Sequence, residues 1–297
     1  MILPQTLRDG VIAWMDDGQD WADSLPALRE RCSRRWGLTV GEPFEGGYTA
    51  WVAPAERTDG GPCVLKLPYP EEVSRYEGDA LLVWDGNGAV CLLERDEESR
   101  ALLLEFLVPG TTLFTVADPE EALGVACAAL ERLWERPPGP GHPFATLQVS
   151  ATNWAGIVER LYREHGRPFD VALQRASVET FGRLAAYDGD DCVVLHQDFH
   201  RGNVVRAQRE PWIVIDPKPL AGERAFDARW LLYDLLYREP RSAQAPAALL
   251  DRLASELSLD PERLRLWTFA LAVENALWSY KSGEPPCDDL ALAEALF

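Results

Sequence analysis

The most informative part of the sequence comprises residues 193–206 and residues 212–217. Apolar residues lead into a polar loop that carries Asp198 and Asn203, and two short apolar segments follow the loop. The second apolar segment ends at Asp216. Two short apolar segments joined by a compact polar turn predict a hairpin. The pattern therefore predicts a loop and two strands that return Asp216 to the neighbourhood of Asn203.

These three polar side chains are the groups that metal-assisted phosphoryl transfer requires. That chemistry needs a carboxylate to orient and deprotonate the attacking hydroxyl, here Asp198, and oxygen ligands for Mg²⁺, here Asn203 and Asp216. An Asp followed after four residues by an Asn is also the spacing of the protein kinase catalytic loop. The alternative is an acidic turn that only caps a loop, and three such groups at this spacing disfavour it.

Two motifs carry a resemblance to a known family. His196-x-Asp198-x-x-x-x-Asn203 resembles the catalytic loop of aminoglycoside phosphotransferases. The sequence Ile-Asp-Pro-Lys-Pro-Leu at residues 215–220 is similar to the signature of the aminoglycoside/hydroxyurea antibiotic resistance kinases, whose best-known members are streptomycin 6-phosphotransferases. The resemblance extends over residues 41–278.

The chain departs from the family pattern at three positions. The family usually has Gly where Gln197 stands, Pro where Arg201 stands and Asp where Glu223 stands. None of these departures removes a catalytic group. Because Gln197 and Arg201 line the loop, however, they leave the preferred acceptor open.

The resemblance implies a protein-kinase-like two-lobed α+β fold. The small N-terminal lobe would hold a five-stranded antiparallel sheet with helices, and the larger C-terminal lobe would be mainly helical. We expect a nucleotide-binding lobe at residues 1–104, a hinge at residues 105–110, and a catalytic and acceptor-binding lobe at residues 111–297. Periodicity and turn residues predict strands at 38–44, 48–53, 63–67, 89–93 and 100–106, and helices within 6–36 and at 77–84, 119–134, 154–164, 170–187, 226–237, 249–257 and 262–281.

Lys66 lies in the short apolar segment 64–67, where an ammonium group is costly unless it is paired. In kinase-like folds this lysine holds the α- and β-phosphates, and a helix glutamate holds the lysine. Glu77 opens a predicted helix and is the expected partner, with Glu72 as an alternative. The other interpretation is a surface lysine on an edge strand.

Other nucleotide contacts are predicted on the backbone. Gly46 and Gly47 fall at the first turn between strands, where small residues let N–H groups approach phosphates, although Gly-Gly is also an ordinary hairpin turn. The chain has no Gly-x-x-x-x-Gly-Lys-Ser/Thr, which disfavours a P-loop. By resemblance, Leu104 would lie behind the adenine, and the Glu105 carbonyl and the Leu107 amide would bond its edge.

Three further residues have expected roles near the catalytic loop. Lys218, two residues after Asp216, either assists the transferred phosphoryl group or pairs with a nearby acid. His196 is expected to brace the loop through a hydrogen bond to backbone near Asp216. Asp227 is expected to be structural and to fasten the segment after the metal ligand to the catalytic loop.

The residues that bind the acceptor are harder to identify from the sequence. In the predicted helix 262–281, the residues Trp267, Leu271, Glu274 and Trp278 share one face, and Glu274 interrupts an apolar stripe. A carboxylate between two indoles suits a cationic acceptor, which predicts Glu274 and Trp278 as acceptor ligands. The alternative is a buried glutamate paired with an arginine of the protein itself.

Composition narrows the classes of partner. A net charge of −19 over 297 residues argues against nucleic acid as a partner. A negative charge of this size would attract a cationic small molecule, or it serves only to keep the protein soluble. Six scattered cysteines argue against a zinc site or a disulfide framework. Without an apolar run long enough for a membrane span or a signal peptide, we expect a cytoplasmic monomer that binds no membrane.

Three functional hypotheses follow. The first is an ATP- and Mg²⁺-dependent phosphotransferase that phosphorylates a hydroxyl of a small cationic acceptor, such as the antibiotic streptomycin. The second is a kinase of another small metabolite, such as hydroxyurea or an amino sugar. The third is a catalytically silent nucleotide-binding module. The third predicts the loss of at least one of Lys66, Asp198, Asn203 and Asp216, and all four are present.

Overall fold

The computed structural model describes residues 1–238, 242, 244–283 and 286–297. These residues form two compact units. The first unit comprises Met1–Thr111 and Val205–Ile215, and the second comprises Thr112–Val204 and Asp216–Phe297. The segment Val205–Ile215 therefore packs with residues that lie far before it in the chain.

The first unit contains a five-stranded antiparallel sheet, as predicted. Its strands are β1 (Leu38–Val40), β2 (Ala50–Arg57), β3 (Pro62–Pro68), β4 (Leu92–Asp96) and β5 (Ala101–Glu105). They lie in the order β1-β2-β3-β5-β4. The fourth strand begins three residues later than predicted, and its register shifts between Leu92 and Glu94.

Helices α1 (Gln5–Leu7), α2 (Gly18–Trp36) and α3 (Glu77–Trp84) complete the first unit, with a π-helical turn at Arg8–Ile12. Helix α2 ends at Gly37, whose φ of 63° closes the last turn. Its buried side chains, including Trp21 and Leu25, pack with Trp51 and Leu65 of the sheet. Burial of this apolar face holds the helix against the sheet.

The second unit is mainly helical. Its helices are α4 (Pro119–Trp134), α5 (Leu147–Glu164), α6 (Val171–Ala185), α7 (Ala225–Tyr237), α8 (Pro246–Glu256), α9 (Pro261–Ser282) and α10 (Cys287–Leu296). Side chains of Asp118, Thr146, Asp170 and Asp260 accept hydrogen bonds from first-turn amides and fix where four of these helices begin. None of the helices that the structure describes is long and apolar enough to cross a membrane.

An aromatic cluster joins three helices of the second unit. The ring of Trp154 on α5 stacks on Phe226 of α7 with centroids 5.6 Å apart, and Trp267 of α9 meets Phe226 edge-on at 5.1 Å. Aromatic pairs in these arrangements add to the area that they bury. The cluster fixes α7, which reaches the candidate site.

Four short strands complete the fold. Strand β6 (Cys192–Leu195) pairs antiparallel with β9 (Leu220–Glu223), and β7 (Val204–Arg206) forms a hairpin with β8 (Trp212–Val214). The predicted hairpin is present, with both strands shorter than expected. Strand β9 and helix α10 were not predicted, because short apolar segments do not distinguish strand, helix and loop.

Candidate active site

The loop 196–203 is anchored at its beginning by a buried carboxylate. The backbone N–H groups of His196 and Gln197 donate to Asp227, with N···O distances of 2.9 to 3.1 Å. The indole of Trp134 also donates to Asp227, at 3.3 Å. Asp227 lies on α7 and is fully buried. Burial raises the pKa of Asp227, and the backbone donors oppose this shift because they stabilise the ionised form.

Asp198 follows this anchor and lies beside two other polar side chains. Its Oδ2 atom is 2.9 Å from Nζ of Lys218, and its Oδ1 atom is 3.9 Å from Nε2 of His200. Its backbone N–H donates to Nδ1 of His196 at 3.2 Å. The carboxylate is partly exposed, at 19% of the side chain, so an acceptor hydroxyl can reach it.

His200 is neutral at physiological pH. Burial lowers the pKa of its imidazole to about 4, and the charge of Arg238 lowers it further. Nδ1 of His200 accepts the N–H of Gly202 at 3.0 Å, so the ring proton is on Nε2, the nitrogen that faces Asp198. The sequence showed His200 in the loop but did not indicate this contact.

Asn203 ends the loop and is bonded back to Asp198. Its side-chain Nδ2 donates to the carbonyl of Asp198 at 2.9 Å, and its backbone N–H donates to the carbonyl of His200 at 2.8 Å. The amide is therefore oriented with its nitrogen toward the loop and its oxygen turned away from that bond. Asn203 is buried, which limits other orientations.

Asp216 lies in the segment that runs beside this loop. It follows β8 and has a φ of 62°, in the left-handed region that Asp and Asn adopt more readily than most residues. Two residues later, the N–H of Lys218 donates to the carbonyl of His196 at 2.9 Å. This bond and the β6–β9 pairing hold the segment after Asp216 against the loop 196–203.

The donor set of Asn203 and Asp216 suits Mg²⁺. Both side chains offer oxygen, and Mg²⁺ is usually held by one or two carboxylates together with substrate phosphates and water. No group of three or more His, Cys, Asp and Glu side chains that could hold a metal occurs within the described residues. One carboxylate and one amide fit an ion that arrives with the nucleotide better than a permanently bound one.

The first unit contains the predicted lysine pair. Lys66 on β3 and Glu77 at the start of α3 are both buried, and Lys66 Nζ lies 2.6 Å from Glu77 Oε1. The alternative partner, Glu72, instead lies near Arg75, with a closest N···O distance of 3.5 Å. A buried ammonium requires such a partner because burial removes its hydration.

The glycine turn between β1 and β2 packs on the N-terminal segment. Gly46 has a φ of 109°, and its N–H donates to the hydroxyl of Thr6 at 3.3 Å. The carbonyl of Tyr48 accepts the N–H of Val11 at 3.2 Å. A Cβ at Gly10 would lie 2.4 Å from this carbonyl, so only glycine permits the contact.

Glu105, at the end of β5, is held by an arginine from the β7–β8 turn. Arg209 donates to Oε1 of Glu105 at 2.7 Å and to the carbonyl of Gly86 at 2.6 Å. Burial would raise the pKa of Glu105, but hydrogen bonds from Arg209 and from the amide of Cys91 lower it overall. Leu107 lies two residues beyond the strand. No sequence pattern indicated Arg209, because its partners are distant in the chain.

Glu274 and Trp278 lie one turn apart on α9. The indole Nε1 of Trp278 donates to Glu274 at 2.5 Å, and Nζ of Lys281 lies 4.5 Å from the centroid of the Trp278 ring. Burial raises the pKa of Glu274 to about 7, against the bond from Trp278 and the charge of Arg229. The other indole of the predicted face, Trp267, instead donates to Glu223 at 2.7 Å.

A family model described as "Aminoglycoside/hydroxyurea antibiotic resistance kinase" matches residues 35–283. The chain is 36% identical to a streptomycin 6-kinase of Streptomyces glaucescens, over 96% of this chain and 93% of that protein. It is 37% identical to a hydroxyurea phosphotransferase of Kitasatospora aureofaciens, over 94% of this chain and 81% of that protein.

Two solved structures share the fold. A choline kinase from Streptococcus pneumoniae superposes with a TM-score of 0.61 at 13% identity, over 92% of this chain and 97% of that chain. An aminoglycoside phosphotransferase solved with ADP and hygromycin B superposes with a TM-score of 0.58 at 16% identity, over 90% of this chain and 95% of that chain. At these identities the likeness shows the fold alone, and it confirms the predicted protein-kinase-like α+β class.

Proposed function

From the premise that the chain belongs to the aminoglycoside/hydroxyurea antibiotic resistance kinase family, we propose that it transfers the γ-phosphoryl group of ATP to a hydroxyl of streptomycin or of a closely related cationic acceptor. The geometry of one loop supports this proposal. The Asp198 carboxylate is partly exposed on a loop that Asp227 anchors, and Asn203 is hydrogen-bonded to the same loop.

Asp198 orients the acceptor hydroxyl and receives its proton. The acceptor oxygen forms a bond to the γ-phosphorus, the bond between that phosphorus and the bridging oxygen breaks, and ADP leaves. Transition states of this kind are loose, so most of the acceleration comes from positioning and charge neutralisation. Asn203 and Asp216 would hold Mg²⁺, whose charge neutralises the nucleotide phosphates.

Lys218 acts together with Asp198. Its ammonium group is 2.9 Å from the Asp198 carboxylate, so it balances that charge before the substrates bind. A cation at this position also lies beside the oxygen that attacks phosphorus. It can therefore stabilise the negative charge of the phosphoryl group during transfer.

We assign nucleotide binding to residues 1–104. Lys66, held by Glu77, neutralises phosphate charge. The backbone of Gly46 and Gly47 binds the phosphates, and the Gly46 N–H exchanges its bond to Thr6 for a phosphate oxygen. The Glu105 carbonyl and the Leu107 amide, in a hinge at residues 105–110, bond the edge of the adenine. Residues 111–297 provide the catalytic and acceptor-binding groups.

Glu274 and Trp278 are the proposed acceptor ligands. Glu274 is a buried carboxylate, and a desolvated carboxylate attracts a cationic group more strongly than an exposed one does. The net charge of −19 favours the approach of a cationic acceptor. The 37% identity to a hydroxyurea phosphotransferase supports hydroxyurea as the second candidate acceptor.

A panel assay tests this function. The purified chain is incubated with ATP or GTP, Mg²⁺ and one acceptor at a time: streptomycin, other aminoglycosides, hydroxyurea or amino sugars. We expect ADP release to depend on streptomycin and NMR of the product to identify the phosphorylated hydroxyl. We expect Asp198→Asn to lower turnover by ~10²-fold or more. Turnover with hydroxyurea alone would establish the second candidate, and no turnover with any acceptor would contradict the proposal.

We also propose that the chain acts as a monomer in the cytoplasm, where its donor ATP is available. Light scattering after size-exclusion chromatography measures the mass of the particle in solution. A mass of about one chain, near the 33.2 kDa of the sequence, is expected. A stable dimer at assay concentrations would contradict the first part of this proposal.

A further inference from the structure

Arg201 is a buried arginine within the catalytic loop, at 3% exposure. We propose that Arg201, held by Asp234, is a positioning residue that sets the place of Asn203 and Asp198 for phosphoryl transfer. This inference rests on the proposed function, since it concerns the same loop. It assigns a role to two residues that neither motif specifies.

The guanidinium of Arg201 is held by several bonds. Its Nε donates to Oδ2 of Asp234 at 2.6 Å, and its Nη2 donates to the carbonyls of Asp234 at 3.3 Å and Arg238 at 2.9 Å. The backbone N–H of Arg201 donates to the same Oδ2 atom at 3.3 Å. Asp234 therefore fixes both the side chain and the backbone of Arg201.

A phenylalanine closes the other side of this turn. The Cζ atom of Arg201 lies 5.0 Å from the ring centroid of Phe114, a cation–π contact. A Cβ added at Gly202 would lie 3.0 Å from the same ring and 2.8 Å from Nδ1 of His200. The turn Arg201–Asn203 is thus packed between Phe114 and helix α7 with no spare room at Gly202.

One face of α7 holds the loop at two points. Asp227 and Asp234 are seven residues apart, two helical turns, so they project from the same face. Asp227 accepts the N–H groups at the start of the loop, and Asp234 accepts those of Arg201 near its end. The distance between the two anchors is fixed by the helix. Asp198 lies between them.

Arg201, which Asp234 holds, is connected to Asp198 through Asn203. The backbone N–H of Asn203 bonds to the carbonyl of His200, one residue before Arg201, and its side chain bonds to the carbonyl of Asp198. A displacement of Arg201 therefore moves Asn203 and, through that bond, the backbone of Asp198. Shifts of this kind are costly to turnover because catalysis here depends on position.

Stability alone does not require a charged pair at this place. Burying two ions carries a desolvation cost, and well-packed apolar residues of similar volume are often as stable. The pair offers directed bonds instead, because a planar guanidinium donates in fixed directions. Apolar residues could fill the same space, but they could not donate these hydrogen bonds. Variants that separate packing from hydrogen bonding therefore test the proposal.

The first test compares two matched variants. Arg201→Lys keeps the positive charge but removes the planar guanidinium group and its several N–H donors. Arg263→Lys makes the same change in another arginine–carboxylate pair, in which the half-buried Arg263 donates to the buried Glu223 on β9, outside the loop 196–203. We expect Arg201→Lys to lower kcat ~10-fold or more with acceptor KM unchanged, and Arg263→Lys to keep kcat at a similar loss of Tm. Equal kcat in the two variants would show that Arg201 serves stability only.

The second test removes both charges. In the double variant Arg201→Met, Asp234→Leu, apolar side chains fill the space and the directed bonds are lost. We expect a Tm near that of the wild type and a kcat as low as that of Arg201→Lys. A stable double variant with wild-type kcat would overturn the proposal. If the double variant does not fold, the comparison of the two lysine variants decides.

The third measurement is independent of activity. Hydrogen exchange of the amides of residues 200–203 should be faster in Arg201→Lys than in the wild type, with β6 and β9 unchanged. Unchanged exchange in this loop would overturn the proposed positioning. If the wild-type chain phosphorylates no acceptor, the proposed function fails, and this measurement still decides whether Arg201 fixes the loop.

Discussion

The Nζ atom of Lys218 lies 2.9 Å from Oδ2 of Asp198, so the two residues that the proposed mechanism places at the attacking oxygen form an ion pair. We expect Lys218→Met to lower kcat by ~10²-fold, the scale of one lost electrostatic contact to a transition state. Steady-state kinetics with saturating ATP and acceptor provides the measurement. Arg252→Met, which breaks a pair with Glu120 at the surface of the second unit, is the control. Similar kcat values for both variants would remove Lys218 from the mechanism.

Asp198→Asn is expected to leave nucleotide binding nearly intact and to lower kcat by ~10²-fold or more, as the loss of an orienting general base does. The amide keeps the shape of the side chain but cannot take a proton. Nucleotide affinity from calorimetry and kcat from ADP release separate the two effects. A variant that retains about a third or more of wild-type turnover is incompatible with this role.

Asp216→Ala is expected to abolish binding of the Mg²⁺–nucleotide complex together with turnover. The variant removes the only carboxylate proposed to bind the Mg²⁺ that would accompany the nucleotide. Calorimetric titration with Mg²⁺ and a non-hydrolysable nucleotide measures this directly, and Asp198→Asn serves as a control that should still bind. Wild-type affinity in Asp216→Ala would place the metal on other residues.

Glu274→Gln is expected to raise the KM for a cationic acceptor roughly tenfold, about 1.4 kcal/mol of binding, with the KM for ATP unchanged. The amide can still accept the hydrogen bond from Trp278, so the loss isolates the charge. Kinetics with a cationic and a neutral acceptor tests this. Normal acceptor binding together with a lower Tm would assign Glu274 to the fold.

The raised pKa of Glu274 predicts a pH dependence of stability. Its folded pKa is about 7, against 4.5 for the ordinary group, so the folded state binds more protons between these values. The contribution of Glu274 to stability is therefore fully present below about pH 4.5 and is lost as pH rises through about 7. The difference is on the order of 3 kcal/mol.

Chemical denaturation of the wild type and of Glu274→Gln at several pH values tests this prediction. Because Gln does not titrate, the variant should lose less stability than the wild type over the same pH range. Parallel curves for the two proteins would show that Glu274 keeps its ordinary pKa. The same titration predicts that the wild-type KM for a cationic acceptor falls as pH rises through about 7.

Residues that are close together in the chain could be assigned to a common site before the fold was known. His196, Asp198 and Asn203 lie within one loop, so their proximity follows from the chain. Likewise, Lys66 and Glu77, which were expected to pair, are only 11 positions apart in the chain. The five-stranded sheet was predictable because apolar segments alternate with turn residues, and each strand pairs with partners of similar pattern.

Contacts between side chains that are distant in the chain could be identified only from the folded structure. Arg209 reaches Glu105 across 104 positions, and Arg201 reaches Asp234 across 33, yet the sequence offers many other arginines and acids for each. Charge does not select among them, because the attraction between exposed charges is weak and varies little from pair to pair. Selection comes from the packing of helices and strands, which brings particular side chains together. At the buried pair of Arg201 and Asp234, a wrong partner would leave a charge unpaired in the interior.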